Sequence, residues 1–241
     1  PEYVIKLLGD DEKFAFEGEV FEDFPKKIRN NLDVTKVAVE FVPKSIAYIS
    51  EECLNSEHFK IIFNTWKNWY IGIIDEDEIS AFTEALTTSS CSEDKDLIKY
   101  LINEISSWGG ATSLPFSLIC ACSSTLFKDK DILLGLLKNL NEEVNGFLCE
   151  TGSSKIYGGD DWYFHWTDVI SCEHFSKKIQ GSGLLKDPDI TDLLKNISTG
   201  IEKHFTLMDE ENKMIWVEAQ KPLNDNAHKD WIKLFRELSK G

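Results

Sequence analysis

Basic residues are the scarce class in this sequence: 26 lysines and arginines stand against 42 aspartates and glutamates, a formal charge of −16. That shortage argues against nucleic acid as a partner, because affinity for a phosphate backbone rests on cations that neutralise it. Anionic membrane surfaces are disfavoured for the same reason. Long apolar runs are missing too. The longest candidate, 111–127, is broken by Pro115 and by serines and threonines, so nothing reaches the roughly 18–20 residues that span a bilayer. The chain opens Pro1-Glu2-Tyr3, as if an initiator methionine had been removed, and without the basic-then-apolar start of a secretory leader. Its six cysteines, at 53, 91, 120, 122, 149 and 172, show no pairing rhythm. Free thiols and a cytoplasmic location are expected. There is no Cys-x-x-Cys, no His-Glu-x-x-His and no Gly-x-Ser-x-Gly, so no metal, no cofactor and no activated serine is expected.

What is present suffices for a core. Of 241 residues, 42% are apolar and 12% aromatic, enough for one large domain. A single domain over 1–241 is expected, with 111–155 as the place where two subdomains would meet. No internal repeat, low-complexity tract or long linker stands out.

The hydrophobic periods predict an α+β fold with N-terminal antiparallel strands, a helical middle and a C-terminal mixture of strands and helices. Residues 2–8 and 13–21 read as a hairpin, with Phe14, Phe16 and Val20 on alternating positions. Residues 25–31 suggest a helical turn. Val37, Val39 and Phe41 alternate through 34–42 and predict a further strand stopped by Pro43. Helices are predicted at 56–69, 78–86, from about 92 to 108, 129–140, 189–204 and 226–239. Short strands are expected at 69–74, 146–149, 205–208 and 214–217, and a surface loop at 178–183.

The charge is uneven. Residues 1–24 and 51–91 each sum to −6, whereas 25–50 sum to +3. The sharpest acidic run, Asp75-Glu76-Asp77-Glu78, suits the positive end of a helix. It lacks the glycine and closing glutamate of a calcium loop. The densest mixture of apolar and chemically able side chains lies at 156–175, Ile-Tyr-Gly-Gly-Asp-Asp-Trp-Tyr-Phe-His-Trp-Thr-Asp-Val-Ile-Ser-Cys-Glu-His-Phe. Alternation there would back a strand with Trp162, Phe164 and Trp166 and display Asp161, Tyr163 and His165.

Further on, Lys178-Ile-Gln-Gly181-Ser-Gly183 resembles the pyrophosphate loop of acetyl-CoA-dependent N-acetyltransferases. Lys178 stands where that family carries Arg or Gln, and Pro188 interrupts the helix that should follow at once. The dipole that would hold phosphates is therefore not expected.

Together these features lead to an acidic cytoplasmic binding protein. It would be an inhibitor or immunity-type protein that neutralises a basic protein partner such as a toxin nuclease, since carboxylates guide such encounters and aromatics anchor them. The expected partner-binding residues are Asp75, Glu76, Asp77, Asp160, Asp161, Tyr163 and His165. The alternative is a small hydrolase or transferase with its site around Asp161, His165, Asp168 and His174.

Overall fold

The computed structural model describes residues 19–69, 74, 76–106, 114–150, 172–207 and 227–240. Of these, 82% are helical and none is in a strand. This overturns the α+β expectation. In chain order the helices are α1 (Glu19–Glu22), α2 (Lys26–Arg29), α3 (Leu32–Phe41), α4 (Ser56–Trp69), α5 (Glu76–Thr88), α6 (Lys95–Ser106), α7 (Leu114–Ala121), α8 (Lys130–Glu150), α9 (Cys172–Gly181), α10 (Pro188–Leu207) and α11 (Ala227–Leu238). Short 3₁₀ turns at Pro43–Tyr48, Glu51–Cys53, Ser90–Glu93 and Leu126–Lys128 link some of them. Residues 1–104 and 105–241 form two compact units.

In the first unit the decisive correction is α3, where a strand was expected over 34–42. Asn31 Oδ1 accepts from the Val34 amide at 3.2 Å, a capping bond that starts a helix and satisfies one of its orphan donors. The residues then buried are Val34, Thr35, Ala38 and Val39, spaced for one helical face against α4. Valine and threonine favour strands only weakly and in context, and here burial of that face decides. Arg29 ties the turn before α2 to the 3₁₀ turn after α3, its Nε donating to Phe24 O at 2.9 Å and its Nη1 to Tyr48 O at 3.1 Å. The core of the unit is aromatic. Phe82 of α5 lies 5.2 Å from Phe59, 5.3 Å from Phe63 and 5.2 Å from Trp66 of α4, centroid to centroid. Such edge-on and tilted contacts add about 0.5–1.5 kcal/mol per pair beyond the area they bury.

In the second unit α8 packs on α7 and α10, and α11 packs on α10 and α9. Phe175 and Phe235, both fully buried, meet at 5.3 Å. Three further expectations fail here. The strand expected at 146–149 lies inside α8, because the leucine stripe begun by Ile132, Leu133, Leu136, Leu137 and Leu140, all buried, carries the helix through Asn145-Gly146. The loop expected from Lys178 is helix as far as Gly181, with the break displaced to Gly183, whose φ of +72° is the left-handed conformation glycine adopts without strain. Likewise Phe205-Thr206-Leu207, expected in a strand, completes α10. The expected strands at 2–8 and 214–217, most of those at 13–21 and 69–74, and Met208 lie outside the described residues.

Candidate functional site

The residues singled out from sequence do not come together in one described place. Asp75, Asp160, Asp161, Tyr163, His165 and Asp168 lie outside the described residues. His174 is carried on the first turn of α9, and Glu76 opens α5. Asp77 is exposed and accepts from Lys44 Nζ at 2.9 Å. Its neighbour Glu78 turns inward, and its Oε2 takes the Trp66 indole N–H at 2.7 Å. That bond lets the tryptophan bury its ring while its polar edge stays satisfied. The acidic run at 76–78 thus serves the start of α5 and anchors the aromatic core, as well as presenting charge to solvent.

The ionisable groups that are most altered by their surroundings lie elsewhere. His58, fully buried on α4, accepts from the Asn55 amide at Nδ1, 3.3 Å away. Its Nε2 therefore carries the proton and meets Thr35 Oγ1 at 2.7 Å, and the threonine hydroxyl donates to Leu32 O at 3.0 Å. Burial, aided by Lys36, pushes the imidazole down to about 4. It is neutral at physiological pH and tethers α4 to α3.

Lys178 reaches from α9 to the carbonyl end of α7. Its Nζ donates to Ile119 O at 3.3 Å, to Cys122 O at 2.8 Å and to Cys120 O, with the Phe127 ring 5.9 Å away. A cation placed against the last carbonyls of a helix is favoured by its dipole. Desolvation lowers the Lys178 pKa below the ordinary lysine value. This geometry replaces the phosphate-loop resemblance, since the lysine is held by protein carbonyls and sits within a helix. Burial also pushes the Cys120 and Cys122 thiols up to about 12, so both stay protonated and unreactive.

Two of the carboxylates at helix starts also take a side-chain bond from another segment. Asp94 accepts from the amides of Asp96 and Leu97, both at 3.0 Å, through Oδ1, and from the Ser56 hydroxyl at 2.5 Å through Oδ2. The serine bond first, then the Leu97 amide, keeps the Asp94 carboxyl below the usual range. Asp187 accepts from the Asp189 amide at 3.0 Å and from Lys130 Nζ at 2.7 Å. Lys130 also reaches Asp189 at 2.8 Å and is raised to about 12 by the pair.

Among the described residues no group of three His, Cys, Asp or Glu is placed to hold a metal ion. No helix among them is long and apolar enough to cross a membrane. Of these perturbed groups the sequence patterns passed over His58, which sits on an apolar helix face where a hydrophobic period absorbs it without a visible signal, and placed Lys178 in a loop. No family model, curated protein or solved structure matches the chain.

Proposed function

We propose that the chain is a cytoplasmic binding protein whose anionic surface receives a basic protein partner, in the manner of an inhibitor or immunity protein that neutralises a basic toxin such as a nuclease. The observation that carries this reading is where the charge lies. Residues 1–104 hold 22 acids and 11 bases, a net −11, whereas 105–241 hold 20 and 15, a net −5. In the first unit Asp33, Glu40, Glu51, Glu52, Asp77, Glu84, Glu93 and Asp96 are exposed. A field of that sign draws a cationic protein in and orients it before contact. The perturbed groups are meanwhile committed to holding helices together, which leaves recognition as the better use of the remaining carboxylates. Asp75, Glu76 and Asp77, with Asp160, Asp161, Tyr163 and His165, are the residues we propose for contact. The free thiols Cys53, Cys91, Cys120 and Cys122 support a reducing compartment.

The test is capture of partners from lysate on the immobilised chain at low salt, followed by association kinetics with the captured protein. A basic partner is expected, with an association rate that falls at least about tenfold as salt rises to about 0.5 M and falls again in Asp75→Lys and Asp161→Lys. A neutral or acidic partner, or a rate indifferent to salt, would overturn the proposal.

A further inference from the structure

We infer that the chain carries one turn-and-helix repeat in four copies, joined within each unit by a bond at the same register. The helices of the copies are α4, α6, α8 and α10. Each is preceded by the same eight-residue signature: serine, four residues, Asx, one residue, acid. The copies read Ser50-Glu-Glu-Cys-Leu-Asn55-Ser-Glu57, Ser89-Ser-Cys-Ser-Glu-Asp94-Lys-Asp96, Ser124-Thr-Leu-Phe-Lys-Asp129-Lys-Asp131 and Ser182-Gly-Leu-Leu-Lys-Asp187-Pro-Asp189.

The geometry repeats with the letters. In all four the Asx Oδ1 accepts from the amide two residues on, at 3.0 Å each time. In the first three the serine carbonyl accepts from the amide three residues on, at 2.8, 3.2 and 3.3 Å. In the last three the Asx amide donates to the carbonyl three residues back, at 3.1, 3.0 and 2.9 Å. The acid is exposed in every copy. The residues three and seven after the Asx are buried in every copy: His58 and Ile62, Leu97 and Leu101, Ile132 and Leu136, Ile190 and Leu194.

An Asx-x-acid start is by itself an ordinary helix cap. Helix α3 has one in Asn31-Leu32-Asp33, with Lys26 where the serine would stand. What separates the four is the bond between copies. Ser56, the residue after the first Asx, donates to Oδ2 of the second copy's Asp94. Lys130, the residue after the third Asx, donates to Oδ2 of the fourth copy's Asp187. One carboxylate thus caps its own helix with one oxygen and receives the preceding copy with the other, at the same register in both units. Further contacts join the helices within each unit. Lys67 bonds Glu104 at 2.9 Å and Tyr100 bonds Asn64 at 3.1 Å between α4 and α6, and α8 packs on α10. The serines recur after 39 residues (50 to 89), 35 (89 to 124) and 58 (124 to 182). A surplus of about 20 residues therefore precedes the fourth copy, as insertions do in repeat proteins.

Equivalent positions should accept each other's residues. Ser56→Lys places in the first copy the residue that the second and third carry as Lys95 and Lys130. In the full chain its melting midpoint is expected to hold or rise. The Asp96 and Leu97 amides are expected to exchange up to about threefold more slowly, the effect of an added ion pair, and both gains should vanish in the double variant with Asp94→Asn. Asp187→Ala, followed by amide exchange, is the second measurement. Exchange is expected to quicken at least about tenfold over 188–207 and by much less over 130–150, since neighbouring repeats couple only through their junction. A lower midpoint for Ser56→Lys that Asp94→Asn does not change, or equal quickening over 130–150 and 188–207, would overturn the inference.

Discussion

His58 shows how a titratable residue becomes a structural one. Its folded pKa of about 4 lies below the ordinary 6.5, so in acid the unfolded chain takes up a proton that the folded chain refuses. Stability is therefore complete above about pH 6.5 and declines as the pH falls toward 4, by about 2–3 kcal/mol from this group. Denaturant titrations between pH 7 and 4 should show that slope, and His58→Leu should flatten it. The thiols give a second residue-scale expectation. Cys53 is partly exposed, whereas Cys91, Cys120 and Cys122 are buried. Among these four, a thiol reagent followed by mass spectrometry should label Cys53 first, and the others only once the chain opens. Equal labelling of Cys120 in the native protein would contradict its burial.

At the scale of elements, the amphipathic helices α4, α5, α6, α8, α10 and α11 were legible because each carries a long apolar stripe at helical spacing. The strand expected at 34–42 was not corrected by any local signal. Val37 and Phe41 fit a period of two, and only the partner surface on α4 selects the face through Val34, Thr35, Ala38 and Val39. The Asn31 cap was readable as a residue, but its meaning depends on the helix forming. Asn31→Ala is expected to cost about 1 kcal/mol, measured as a lower denaturation midpoint with helix content retained. The acidic run fared differently, because Asp77 and Glu78 were visible as charge while their pairings with Lys44 and Trp66 join segments that sequence spacing cannot connect. Lys178 makes the same point. Its three carbonyl acceptors lie 56 to 59 positions away. Lys178→Met should destabilise residues 105–241 by about 2 kcal/mol, from charged hydrogen bonds lost at a helix end, and a change under 0.5 kcal/mol would mean that water serves those carbonyls equally well.

For the whole molecule, the charge that favours a cationic partner also opposes the compact state. Self-repulsion is greater in residues 1–104, at −11, than in 105–241, at −5. Raising salt from about 0.02 M to 0.5 M screens it, so amide exchange should slow more in the first unit than in the second. The stretch Asp160–His165 falls in the sequence surplus before the fourth copy. Exchanging 152–170 for a short Gly-Ser linker should abolish the partner capture proposed for it. The recurrent capping turn has one more consequence, for kinship. A core position accepts any apolar side chain of suitable size, so core identities drift until whole-chain comparison finds nothing. A turn whose Asx must cap its own helix and, as at Asp94 and Asp187, also receive the preceding copy has far fewer solutions. Distant kin of this chain should therefore be traceable by a serine, an Asx five places on and an acid two further, recurring every 35 to 39 residues where nothing is inserted, even where nothing else in their sequences agrees.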